Sequence, residues 1–132
     1  MLRLIDATDG DVVGADIPTV IRTLGDAIFH VHAKDIRTND WIAARDGLLD
    51  TVPITEPDSR AWNYVTHGLG HPGGATFWAD FVYNLRSVGY DGTLSIEHED
   101  ALVNSVEGVG RAADLLRHVA LVDPPDWTPA KV

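Results

Sequence analysis

Residues 28 to 35 read Ile-Phe-His-Val-His-Ala-Lys-Asp, and this stretch decides the predicted fold. Its side chains alternate as in a β-strand, with Phe29, Val31 and Ala33 on one face and His30, His32 and Lys34 on the other. Helical patterns precede and follow it in the chain, which favours a parallel sheet covered by helices. Because polar groups on a central strand need partners, we expect a metal ion or carboxylates beside the two imidazoles.

A second strand pattern runs from Thr93 to Asp100 and complements the first. One predicted face holds Leu94, Ile96 and His98, and the other holds Ser95, Glu97 and Glu99. In a barrel, the polar faces of both strands would lie at the mouth of the lumen. Imidazole from one strand and carboxylate from another are typical ligands of a divalent metal.

Several motifs, in their order along the chain, resemble the C-terminal part of the xylose isomerase-like TIM-barrel superfamily. The nearest branch is the group called sugar phosphate isomerases/epimerases. The motifs are His30 to Asp35, Gly68 to His71, Phe77-Trp78, Gly89 to Gly92, Leu94 to Asp100 and Glu107 to Val109. The resemblance covers roughly residues 16 to 121. It implies an α/β fold, namely a partial (β/α)8 TIM barrel made of the last βα units with a long βα loop.

The resemblance also implies a reaction, aldose–ketose isomerisation or epimerisation by proton transfer next to a carbonyl. It makes His32 and Glu97 ligands of a divalent metal (Mn²⁺, Mg²⁺, Co²⁺ or Zn²⁺), with Glu97 also an acid/base group. Lys34 is a second catalytic candidate, since an ammonium can stabilise an enediolate. Two alternatives stay open: an inactive truncated remnant, and a metal-dependent lyase that acts on an oxidised glycoside on the same barrel.

Four more side chains are candidates for substrate binding: His30, Asp35, Arg37 and His71. Each candidate also has a plain structural interpretation. The histidines of the first strand can be core residues bonded to a hydroxyl or carbonyl group, and Glu97 can form an ion pair with Lys or Arg. His67 and His71, in a glycine-rich loop, can bind substrate or a second metal, or can be surface loop residues.

The chain of 132 residues predicts one domain, residues 1–132. A TIM barrel takes about 250 residues, so we expect either a homo-oligomer or a missing N-terminal half. The family's Asp ligand and its other Glu lie on earlier strands, and residues 1–15 show no Asp-Pro-Ser-His motif. Within the domain we expect an arm or loop at 1–15, a long active-site loop at 36–73 and an extended tail at 122–132.

Three helices are predicted from caps and apolar periodicity. The first begins at an N-cap, Asp16, and ends at Gly25; the second runs from about Thr76 to Val88; the third follows Asn104. The second helix is predicted to bury Phe77, Trp78, Phe81, Leu85 and Val88. The third is predicted to bury Val106, Val109, Ala113, Leu116 and Ala120.

The composition of the chain limits the classes of partner that it can bind. The net charge is −10 without a cluster of Lys and Arg, which argues against nucleic acid because phosphate binding needs cations. Cysteine is absent, so neither disulfides nor a thiol nucleophile are expected. No apolar run approaches the roughly 20 residues of a membrane span, and no signal peptide is visible. We therefore expect a cytoplasmic protein, and the resemblance implies a small sugar or sugar phosphate as its ligand.

Overall fold

The computed structural model describes the backbone of residues 4–6 and residues 16–126 in full. These residues form a mixed α/β fold, as predicted. The elements are β1 (Leu4–Asp6), α1 (Ile17–Leu24), β2 (His30–Ala33), β3 (Asp35–Thr38), α2 (Asp40–Asp46), β4 (Trp62–Val65), α3 (Ala75–Ser87), β5 (Leu94–Ile96) and α4 (Ser105–Val119). Short 3-10 turns occupy Gly25–Ala27 and Pro57–Ser59.

Three strands form a parallel sheet in the order β1-β2-β5. The register places His32 between Asp6 of β1 and Ser95 of β5. One further bond, from the Glu97 amide to the Ala33 carbonyl at 2.9 Å, extends the pairing beyond β5. The central position of β2 agrees with the prediction that the His-rich strand lies inside the sheet.

Helices α1, α3 and α4 pack with one face of this sheet around a single apolar core. Val31 and Ala33 are fully buried there, as the alternation predicted. Phe29 is 59% exposed, so its predicted place in the core was wrong. It precedes β2, where the chain still belongs to the connection after α1.

The helix boundaries follow the predicted caps closely. Asp16 accepts a hydrogen bond from the Thr19 amide at the start of α1, and Gly25 ends that helix. Asn104 accepts from the Val106 and Glu107 amides at the start of α4. The predicted apolar side of α3 is confirmed, with Trp78 at its centre.

The predicted buried face of α4 is confirmed at Leu116, holds in part at the half-buried Ala113, and was wrong at Val106, Val109 and Ala120. Val106 is 84% exposed, whereas Gly108, Ala112 and Leu116 face inward. The reason is steric: a Cβ atom on Gly108 would overlap the ring of His98, so the helix lies against that ring with its smallest residue. Close approach, rather than the size of the apolar side chains, selects the face.

Residues 36–73 contain more regular structure than the predicted loop. Strands β3 and β4 pair antiparallel in a second, two-stranded sheet, and α2 lies between them. A short helix at Asp40–Asp46 lies within the segment that was predicted as a loop. We call residues 35–65 the hairpin excursion.

Both predicted terminal segments fall partly outside the described residues. The predicted arm at 1–15 is described only at 4–6, where it forms β1. The predicted tail at 122–132 is described to residue 126 and has no helix or strand there. Among the described residues, no helix combines the length and apolarity that crossing a membrane would take.

Candidate functional site

The side chains after the carboxyl ends of β2 and β5 meet at one point. Glu97 stands between two cationic or potentially cationic groups: its Oε1 lies 2.8 Å from His32 Nδ1, and its Oε2 lies 2.8 Å from Lys34 Nζ. Adjacent parallel strands place the three groups together because their ends share one edge of the sheet. The structure thus brings together three of the predicted site residues.

The carboxylate of Glu97 is ionised in this setting. The hydrogen bond from Lys34 lowers its pKa below the ordinary value, and the charges of Lys34 and His32 act in the same direction. About a third of its side chain is exposed. A charged carboxylate with an open side is suited to bind a cation, whereas its lowered pKa makes it a weaker base.

Lys34 is a buried ammonium with acidic and aromatic neighbours. Burial opposes its charge, but the hydrogen bond with Glu97 and the charges of Glu99 and Glu97 raise its pKa above the ordinary value. Glu99 Oε1 lies 3.5 Å from Nζ, and the Tyr64 ring centroid lies 4.5 Å from it. Lys34 is therefore protonated. Its ammonium group can donate hydrogen bonds, but it cannot act as a base.

His30 lies beside this cluster. Its Nε2 is 2.7 Å from Ser95 Oγ, and its ring contacts the edge of the His32 ring with centroids 5.2 Å apart. Ser95 is the register neighbour of His32 on β5. His30 therefore supports the orientation of His32, and its predicted role as a substrate contact stays a prediction.

The distance of 2.8 Å between His32 Nδ1 and Glu97 Oε1 is that of a direct hydrogen bond. Two ligands of a tetrahedral metal ion lie roughly 3.4 Å apart, so a metal ion between these two atoms would require them to separate. The described side chains include no group of three His, Cys, Asp or Glu able to hold a metal. The register pairs His32 with Asp6, which places a carboxylate-bearing residue at the neighbouring strand position.

Asp35 and His71 form a second, enclosed pair. Asp35 is fully buried and accepts hydrogen bonds from the amides of Gly68 (2.7 Å) and His71 (3.0 Å), from the His71 ring, and from Trp78 Nε1 (3.2 Å). The His71 ring is stacked on the Phe77 ring, with the two ring centroids 3.7 Å apart. Direct contact of Asp35 or His71 with a substrate would require this cluster to open.

His67 also lies inside the protein. Its ring packs against Trp78 at 4.8 Å, and burial lowers its pKa below the ordinary value, although the Ala33 carbonyl and Asp35 oppose that effect. A neutral imidazole results. The expectation of a surface loop histidine therefore fails for His67.

A cavity of about 580 Å³ adjoins the site, and we call it the hairpin cavity. It lies between the hairpin excursion and residues 99–103. Arg37, a predicted substrate contact, lines it, as do Tyr64 and Glu99 beside Lys34. Sequence reasoning did not name Tyr64 as a site residue, although the alternation of Trp62 and Tyr64 was a signal for a strand there. It placed Ser95 and Glu99 on the polar face with Glu97 but gave them no role.

The sequence is similar to that of a bacterial protein. The chain is 38% identical over 105 residues to "Uncharacterized protein YfiH" of Bacillus subtilis (strain 168). The aligned stretch is 80% of this chain and 33% of YfiH, so the chain spans about a third of that relative. No protein-family model matches the chain.

Proposed function

We propose that the chain belongs to a metal-assisted sugar or sugar phosphate isomerase or epimerase. The observation that supports this most directly is the position of Glu97, whose two oxygens contact His32 and Lys34 at the carboxyl ends of parallel strands. In parallel α/β folds this end of the sheet is where substrates bind.

We also propose that β1, β2 and β5 are an arc of a partial (β/α)8 barrel. They are parallel neighbours, helices cover only one face, and the opposite face has His30, His32 and Ser95. The outer edges of β1 and β5 have no strand partner among residues 4–6 and 16–126. A second copy or an N-terminal half would close the barrel and cover those edges.

The chemistry follows from the protonation states of the site. Ionised Glu97 removes the proton from the carbon next to the sugar carbonyl. Protonated Lys34 donates a hydrogen bond to the enediolate oxygen that becomes charged. A bound divalent ion, held by His32 and Glu97, would polarise the carbonyl and the adjacent hydroxyl. The resemblance assigns the second acid/base Glu to an earlier strand, so turnover requires a completed barrel.

The test is a calorimetric titration of the purified chain with Mn²⁺. We expect saturable binding that is lost in His32→Ala and in Glu97→Gln. His118→Ala is the matched control, because His118 is an exposed histidine on α4 away from the site. Binding that survives both His32→Ala and Glu97→Gln would refute the proposed site.

The same experiment addresses the inactive alternative. That alternative is favoured by the lack of a third side-chain ligand among the described residues. Absence of Mn²⁺ binding together with no turnover of any sugar would assign the chain as an inactive remnant. An unsaturated sugar product would instead assign the lyase alternative.

A further inference from the structure

An apolar stripe on α4 is exposed, although the periodicity of the helix predicts its burial. Val106 is 84% exposed and Val109 is 43% exposed. Both lie on the side of the helix that continues through Ala113, because residues three and four positions apart share one face. Soluble proteins rarely leave such apolar surface contiguous unless it binds another surface. The stripe therefore indicates a face that a further protein surface covers.

The stripe leads into a cavity of about 780 Å³, which we call the β5 cavity. Leu94 and Ile96 of β5 line it together with Ala113 of α4 and with Val82 and Leu85 of α3. Leu94 and Ile96 are only half-buried. The apolar layer between β5 and its two helices is therefore incomplete at this cavity.

The outer edge of β5 is a second feature of the same face. The Glu97 amide donates to the Ala33 carbonyl of β2 at 2.9 Å, so the alternate residues Leu94 and Ile96 direct their backbone groups away from β2. These groups face no strand in the described part of the chain. An unpaired strand edge beside an apolar cavity is a surface to which a further strand can add.

The charge of this face differs from that of the whole protein. Two arginines, Arg86 and Arg117, line the β5 cavity with one carboxylate, Asp91. The chain as a whole has a net charge of −10. A second copy of this acidic chain is therefore attracted to the face that carries the two arginines.

We propose that the β5 cavity, the outer edge of β5 and the apolar stripe of α4 bind a second copy of the chain through the outer edge of its β1. β1 lies at the opposite side of the sheet and is parallel to the other two strands. Two copies related by a two-fold axis can pair β5 of each with β1 of the other, which covers every outer edge. The inference goes beyond the proposed reaction, because it uses none of the reacting side chains.

The test is sedimentation equilibrium of the full chain over about two decades of micromolar concentration, in EDTA and without sugar. We expect a dimer. Val106→Glu and Val109→Glu should each raise its dissociation constant at least about tenfold, because they bury a charge against apolar surface. Both positions are exposed in the single chain, and circular dichroism checks that the variants fold. Leu49→Glu is the matched control, because Leu49 is 93% exposed in the hairpin excursion and does not line the β5 cavity.

Amide hydrogen exchange locates the contact between the copies. We expect the Leu94 and Ile96 amides to exchange more slowly in the wild-type dimer than in Val109→Glu at the same concentration. The Glu97 amide donates to β2 within one chain, so its exchange should differ less between the two proteins.

A monomer at every concentration would refute the inference, as would a dimer that all three Glu variants weaken equally or a dimer without slowed exchange at Leu94 and Ile96. A monomer that binds the part of YfiH outside the aligned stretch would assign the face to a different polypeptide and would also refute it. The outcome is independent of the metal titration. Mn²⁺ binding by a monomer would support the metal site and refute the dimer, and a dimer that binds no Mn²⁺ would do the reverse.

Discussion

Two carboxylates of this protein each contact a histidine, yet their surroundings differ. Asp35 is fully buried, and its neighbours include backbone amides and an indole that cannot move away without unfolding the loop. Glu97 is partly exposed, and its two partners are titratable side chains. Fixed donors make the Asp35 pair a structural element, whereas the exchangeable partners of Glu97 leave it available for a ligand.

The largest expected effect is that of Asp35→Ala. It removes the shared acceptor of four donor groups and leaves them buried without it. We expect a loss of about 3–5 kcal/mol in the free energy of unfolding, measured with urea at pH 7. Asp114→Ala on the exposed side of α4 is the control, with an expected change below about 0.5 kcal/mol. Equal effects of the two substitutions would contradict the structural role of Asp35.

Gly70→Ala tests the close packing around Asp35 at a second position. A Cβ atom there would overlap the Ile36 carbonyl oxygen and Asp35 Oδ1. We expect a loss of about 1–3 kcal/mol in the free energy of unfolding, since overpacking displaces backbone. Gly110→Ala is the matched control, because its Cβ would meet no atom within 4 Å and it lies in α4. That control is expected to be stabilising by about 0.5–1 kcal/mol, and a neutral Gly70→Ala would contradict the close approach.

The free energy of unfolding should depend on pH through His67, which lies in the same enclosed region as Asp35. Burial lowers the pKa of His67, so the unfolded chain binds the proton more readily than the folded one. The contribution of neutral His67 is fully present above the ordinary histidine value of about 6.5 and is lost as the pH falls through the folded-state pKa. We expect the wild type to lose more stability between pH 7.5 and pH 5.5 than His67→Phe. An unchanged slope in the variant, with His118→Gln as control, would contradict this.

The smallest effect on stability is expected for Glu97→Gln. Glu97 is partly exposed, and its amide analogue keeps one oxygen for Lys34. We expect a change of about 1 kcal/mol or less in urea unfolding, although the variant loses its proposed metal ligand. A loss as large as that of Asp35→Ala would mean that both carboxylates are structural, and the comparison between them would fail.

Local sequence signals predicted the elements that depend on near neighbours. The caps at Asp16 and Asn104 are hydrogen bonds across two or three residues, and the alternation of Val31 with His32 is a property of one strand. The approach of His32 to Glu97 was also predicted, since two polar-faced strands in a parallel sheet suggest it.

The features that sequence reasoning missed depend on distant contacts. The pairing of β3 with β4 places Asp35 opposite Val65, and no local sequence pattern predicts this pairing. The face of α4 depends on how closely Gly108 approaches His98. The enclosure of Asp35 depends on donors from the loop and from α3, which only the folded chain assembles.

The chain leaves the parallel sheet and enters the hairpin excursion through a single residue, Lys34. The two sheets therefore share one backbone joint, and its side chain is the ammonium that contacts Glu97. The residue that follows the joint, Asp35, is held by fixed donors from the loop and from α3. The enclosed pair therefore anchors the backbone on one side of Lys34, and the position of Nζ beside the carboxylate depends on that anchor.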